Sequence, residues 1–106
     1  MAPVRSMTLR YTRRALRHLH RIAAYLNERS PVAARHVGQR IRGTAELLAD
    51  FPDLGHDGAL PGTRELVVPG LTYIIVHRVE PDRRVTILGI YHGAQVRPGQ
   101  GETGAS

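Results

Sequence analysis

The chain has 106 residues, no cysteine and a formal net charge of +6, and all 15 of its basic residues are arginine. That length makes one domain, burying about 65 % of its unfolded surface, enough for a core without staples. The missing cysteines exclude disulfides and thiolate metal sites and fit a reducing cytoplasm. No apolar run is long enough to span a membrane, and "MAPVRSMTLRYT" lacks the apolar stretch of a signal peptide.

Charge is unevenly placed: residues 1–50 carry +7 and residues 51–106 carry −1. A basic first half suits an anionic partner, nucleic acid or an acidic protein segment. The competing reading is a solvated arginine surface with no partner.

In chain order, "SMTLRY" is short and strand-like. Thr12 can cap a helix, and Ala15, Leu19, Ile22, Ala23 and Leu26 follow at helical spacing. Ser30 and Pro31 open a second helix with its stripe on Ala34, Val37, Ile41, Ala45 and Leu48, and Pro52 stops it. The short link "NERSP" predicts an antiparallel helical hairpin. "DLGHDGALPGT" is a loop. Three strands are predicted next, Arg64–Val68, Leu71–Val79 and Val85–Tyr91, with turns at "VPGL" and "EPDRR". The fold class is therefore α+β, β-α-α-β-β-β, with a helical hairpin on one face of a small, mainly antiparallel sheet. The tail "RPGQGETGAS" has almost no apolar content and is expected to be disordered.

Arg64 and Glu65 are adjacent on a predicted strand, so they point to opposite faces and do not pair with each other. Arg64 can pin a carboxylate or phosphate with its fork, or close the structure by pairing with a loop acid such as Asp57. Tyr73, Ile75 and His77 share one strand face, and Ile74, Val76 and Arg78 the other. His77 has the pKa of an acid/base, although a lone strand histidine is more often a half-exposed packing residue. His92, in "YHGAQ" at a strand end, is placed as catalytic groups often are. His18 and His20 point apart on a helix, and His36 and His56 lack partner spacing, so no metal site is expected. No phosphate loop or nucleophile elbow is present. With no Trp and one Phe, a stacking platform for single-stranded nucleic acid is poorly supplied.

Taken together, the spacing Ala15, Leu19, Ile22, Tyr25 and the runs "SPVAARHV", "LLADFPDLGHDG", "PGTRELVVPGLTYIIVHRV" and "ILGIYHGAQ" resemble the RelE/ParE superfamily of type II toxin–antitoxin toxins. The resemblance covers residues 7–97. It sets residues 1–6 apart as an N-terminal extension from an upstream start codon, and 98–106 as the disordered tail. It implies a cytoplasmic, plasmid-stabilisation type toxin that needs no cofactor. A cognate antitoxin with an acidic C-terminal segment would neutralise it by meeting the helices at Arg14, Arg17, Arg21, Arg35 and Arg42. Operator DNA would be bound only through the antitoxin complex.

The superfamily divides. RelE-type members cut mRNA on the ribosome with Lys and Arg on the open sheet face, often one directly after the tyrosine matching Tyr73, and an acid/base near the C-terminus. ParE-type members poison DNA gyrase. Here Ile74 follows Tyr73, no Lys exists, and Gln95 stands where many relatives have Arg. These departures favour a gyrase inhibitor that contacts its target through Tyr91, His92, Gln95 and Arg97. The ribonuclease alternative assigns catalysis to His92, Arg64, Arg78 and His77. A third reading is a non-toxic basic interaction module.

Overall fold

The computed structural model describes residues 7–100. The N-terminal extension, and the part of the expected tail beyond Gln100, lie outside the described residues. Two helices, α1 (Arg13–Asn27) and α2 (Pro31–Asp50), pack on a five-stranded sheet of β1 (Thr8–Tyr11), β2 (His56–Asp57), β3 (Arg64–Val67), β4 (Tyr73–Glu80) and β5 (Arg84–His92). The spatial order is β1-β5-β4-β3-β2. The β5–β4, β4–β3 and β3–β2 pairs are antiparallel, whereas β1 runs parallel to β5, with Thr8 opposite Arg84 and Tyr11 opposite Ile87.

The helix caps are the predicted ones. Thr12 Oγ1 accepts the Ala15 N–H at 3.1 Å and Ser30 Oγ accepts the Ala33 N–H at 3.2 Å, each satisfying a first-turn donor. Pro31 opens α2, where its missing N–H costs nothing. Ala15 and Leu19 of α1 and Ile41, Ala45 and Leu48 of α2 meet Val68, Ile75, Val85, Ile87 and Ile90 in one core. Ala23, expected in the buried stripe, is exposed: it sits on the flank of α1, where the groove between the helices opens.

Two features of the sheet differ from the sequence pattern. First, the glycine-rich loop contains a two-residue edge strand, β2. Gly55, at φ +90°, turns the chain against β3 so closely that a Cβ there would lie 2.2 Å from the Glu65 carbonyl oxygen. Second, the β4–β5 ladder shifts register between Val76 and His77: Val76 faces Gly89 but His77 faces Ile87, leaving Leu88 unpaired as a bulge. The bulge is why Ile87 and Ile90, three apart rather than two, both reach the helix-side core.

Candidate functional site

The chain leaves β1 at Tyr11 to enter α1, so beyond Ile87 the outer edge of β5 has no neighbouring strand. Thr12, the cap of α1, and His18 within it complete that edge. Thr12 donates its N–H to Ile87 O at 3.0 Å and its hydroxyl to Leu88 O at 3.2 Å. His18 Nδ1 accepts the Ile90 N–H at 3.1 Å. Its ring also meets Tyr91 edge to face, with centroids 4.8 Å apart. Burial, helped by the Arg21, Arg14 and Arg17 charges, lowers the His18 pKa, in keeping with a bare Nδ1 that must accept.

Two grooves flank this seam. On the helix side, a groove of about 450 Å³ is lined by Arg21, Ile22, Tyr25, Tyr73, His92 and Gln95, among others. Tyr73 and His92, opposite each other in the ladder, form an edge-to-face pair at 5.7 Å. The Ala94 N–H donates to His92 Nδ1 at 3.3 Å, and Gln95 Oε1 accepts the His92 N–H at 2.6 Å. Tyr25 is 55 % exposed with the Arg29 guanidinium 3.8 Å above its ring. Burial raises the Tyr73 pKa, keeping its phenol protonated. On the open sheet face, a smaller groove joins Arg14, Arg78, Leu88, Tyr91 and Pro98.

The four residues assigned to a nuclease do not come together. His77 is fully buried on the helix side, its Nε2–H donating to Pro52 O at 3.2 Å. Burial drives its pKa down, and the neighbouring Arg64 charge adds to that. It is thus more buried than the half-exposed packing residue the sequence suggested. Arg64, its ladder partner, grips the loop, donating to Asp57 Oδ1 at 2.9 Å and to the carbonyls of Asp53 and Gly55 at 2.8 and 2.9 Å. Arg78 lies on the opposite face. His92 is four ladder positions from His77, roughly 13 Å away at strand spacing.

The residues assigned to target contact divide as well. His92 and Gln95 line the helix-side groove, and Tyr91 is on the open face. Arg97 Nε donates to Glu65 Oε1 at 3.1 Å, with the two side chains only 13 % and 4 % exposed. The five arginines assigned to the antitoxin are all exposed and make no ion pair among the described residues. Arg35 and Arg42 rim the interhelical groove of about 440 Å³, floored by Ile22, Ala23, Ala24 and Ala34. Arg21 and Arg14 instead border the helix-side and open-face grooves, and Arg17 lies outside all three. Sequence reasoning missed His18, Tyr25 and Tyr73 as groove residues, and the anchoring role of Glu65. Helical spacing does carry one signal, since Arg14, His18, Arg21 and Tyr25 recur every three or four residues on one flank of α1.

A hairpin of helices thus lies on a mixed sheet, with grooves bordered by arginines and, among the described residues, no group of three or more His, Asp or Glu that could hold a metal ion. Residues 9–97 match the family model described as the ParE toxin of the type II toxin–antitoxin system parDE, and the chain belongs to that family. It is 41 % identical over 90 residues to the Y4kP protein of Sinorhizobium fredii, covering 85 % of this chain and 92 % of that one. It is 37 % identical over 86 residues to toxin RelE2 of Caulobacter vibrioides, covering 81 % and 94 %. Among solved structures, it superposes on a chain of the chromosomal ParDE toxin–antitoxin system of P. aeruginosa with a TM-score of 0.73 and 26 % identity, covering 82 % of this chain and 96 % of that one. The chain is thus a RelE/ParE superfamily toxin of a type II system, with the superfamily's fold.

Proposed function

We propose that this toxin acts in the cytoplasm by binding DNA gyrase, with no bond-breaking chemistry of its own, and is neutralised by a cognate antitoxin. The observation that carries this reading is the dispersal of the nuclease candidates. RNA cleavage needs a base, an acid and cations around one phosphate, whereas His77 is sealed in the core and Arg64 is bound to loop carbonyls. The antitoxin reading rests on the interhelical groove. An apolar floor rimmed by the guanidiniums of Arg35 and Arg42, which make no ion pair among the described residues, suits an amphipathic acidic segment. Operator DNA is then reached only through the antitoxin complex.

The ribonuclease reading keeps one supporting observation: Tyr73, His92, His18 and Arg21 share the helix-side groove. Pulse-labelling of DNA and protein synthesis in the first minutes after tightly controlled induction separates the two. Under the gyrase reading DNA synthesis falls first. If protein synthesis falls first, the gyrase reading is wrong, and Arg21, Tyr73 and His92 become the residues to replace.

A further inference from the structure

The helix-side groove has a fixed hydrogen-bonding polarity. Two imidazoles line it, and each turns Nδ1 to a backbone N–H: His18 to Ile90 at 3.1 Å, and His92 to Ala94 at 3.3 Å. A backbone N–H can only donate, so both Nδ1 atoms are bare and both ring protons sit on Nε2. The same reasoning orients Gln95. Its Oε1 accepts the His92 N–H at 2.6 Å, which leaves the amide NH2 as the donor end of that side chain. Neither the two Nε2–H groups nor this NH2 has a hydrogen-bond partner among the described residues.

The rest of the lining has the same sign. Arg21 adds a guanidinium in no ion pair among the described residues, and Tyr25 and Tyr73 add phenol hydroxyls. No Asp or Glu lines the groove, and the charges that bear on His18 are those of Arg21, Arg14 and Arg17, all positive. The matching occupant brings acceptor oxygens and negative charge. Donors stand on three sides: His18, Arg21 and Tyr25 on α1, Tyr73 at the start of β4, and His92 and Gln95 at the end of β5 and just beyond it. A carboxylate offers two oxygens in one plane, and a phosphodiester two unsubstituted oxygens. A phosphomonoester offers three in a tetrahedral array, with close to two negative charges at neutral pH, and so engages all three sides at once.

We propose that the helix-side groove is an oxyanion site that takes the terminal phosphate of a phosphomonoester, held by the Nε2–H groups of His18 and His92, the Gln95 NH2 and the Arg21 guanidinium. The site is separate from the interhelical groove assigned to the antitoxin, and it does not depend on the gyrase reading.

The test titrates the full chain with methyl phosphate, dimethyl phosphate and acetate at about pH 7.5, where the monoester is a dianion. Sodium chloride holds the ionic strength constant, and backbone amides are followed by NMR. Ile90 and Ala94, whose N–H groups meet the two imidazoles, should shift saturably with methyl phosphate, while Ile41 and Ala45 in the core stay in place. Dimethyl phosphate and acetate should bind more weakly by roughly tenfold or more. Gln95→Glu keeps an oxygen for the His92 N–H but puts a charged oxygen where the NH2 was, and should weaken methyl phosphate binding by roughly tenfold or more. Gln39→Glu makes the same change of charge at the interhelical groove and should leave that binding unaltered. No saturable shift at Ile90 and Ala94 would overturn the site. Equal losses in the two variants would overturn it in favour of a general attraction between anions and a basic protein. Dimethyl phosphate binding as tightly as the monoester would hand the groove to a nucleic-acid backbone, and acetate doing so would hand it to a protein carboxylate; either result overturns the phosphomonoester assignment. Should Gln95→Glu disturb the turn after β5, Arg21→Gln on the exposed flank of α1 carries the same expected loss. Growth arrest is not the readout, so failure of the gyrase reading leaves the outcome standing.

Discussion

His18 does the work of a missing strand for Ile90. The β5 edge donor that β1 cannot reach is satisfied by an imidazole nitrogen 72 residues away in sequence, at 3.1 Å. An imidazolium has no lone pair to offer, so this contact exists only with neutral His18. His77 is likewise held neutral, with burial and Arg64 lowering its pKa against the partial opposition of Pro52 O and Asp53.

Both histidines therefore bind their protons more readily unfolded, near the ordinary pKa of about 6.5, than folded. Their contribution to stability is full above about pH 6.5 and falls as pH drops towards the lowered folded values. The melting temperature should decline between pH 7.5 and pH 5. His77→Gln, whose amide can still donate to Pro52 O, should flatten that decline. An unchanged slope in this variant would remove His77 from the account.

Arg64 and Asp57 form an unequal pair. The Asp57 side chain is 93 % exposed, so Asp57→Ala should cost no more than about 0.5 kcal/mol. Arg64 also holds two loop carbonyls, so Arg64→Ala should cost about 2–4 kcal/mol. Urea unfolding of the two variants distinguishes them, and equal losses would contradict a structural role centred on those carbonyls.

Gly89 makes room for Tyr91. A Cβ at Gly89 would lie 2.6 Å from Tyr91 Cε1, so Gly89→Ala should displace the phenol ring from the sheet and from His18. The expected cost is about 1–3 kcal/mol, as for other overpacked sites. The ring's proton chemical shifts should move towards free-tyrosine values; if they stay native-like, the close approach is absorbed elsewhere.

Charge reversal at the interhelical groove tests the antitoxin reading. Arg35→Glu with Arg42→Glu should weaken binding of an acidic antitoxin segment by roughly 10- to 100-fold, mostly through faster dissociation. Arg13→Glu, on an exposed face away from that groove, should change it little. Calorimetric titration of the isolated segment gives both values, and comparable losses at the two places would point to a general charge effect.

Much of the fold was legible in the sequence because it follows from local rules. Thr12 and Ser30 cap, Pro52 stops, and the apolar spacing of Ala15, Leu19, Ile41 and Leu48 finds the core side of each helix. The Arg64–Asp57 pair was also within reach, being local to one loop and the strand it joins. What escaped depends on register between distant strands. The bulge at Leu88 breaks the period-two alternation on which any reading of β5 relies, and Gly89, an isolated glycine inside the strand, is the signal that could have marked it. Glu65 meets Arg97 across 32 residues only because the segment after β5 turns back over the sheet. The tyrosines look scarce in a composition count, yet Tyr25, Tyr73 and Tyr91 gather along one seam through the placement of α1 against β5.

The parallel pairing of β1 with β5 has a consequence for synthesis. The first strand's neighbour is the last strand to be made, because Thr8 to Tyr11 pair with Arg84 to Ile87. While the ribosome is still translating β4, the nascent chain has no strand on which to close its sheet, and Val85, Ile87 and Ile90 are missing from the core. Closing so long a loop is slow relative to forming the helical hairpin. A chain assembled in this order lacks its closed sheet and part of its core for nearly the whole of its translation.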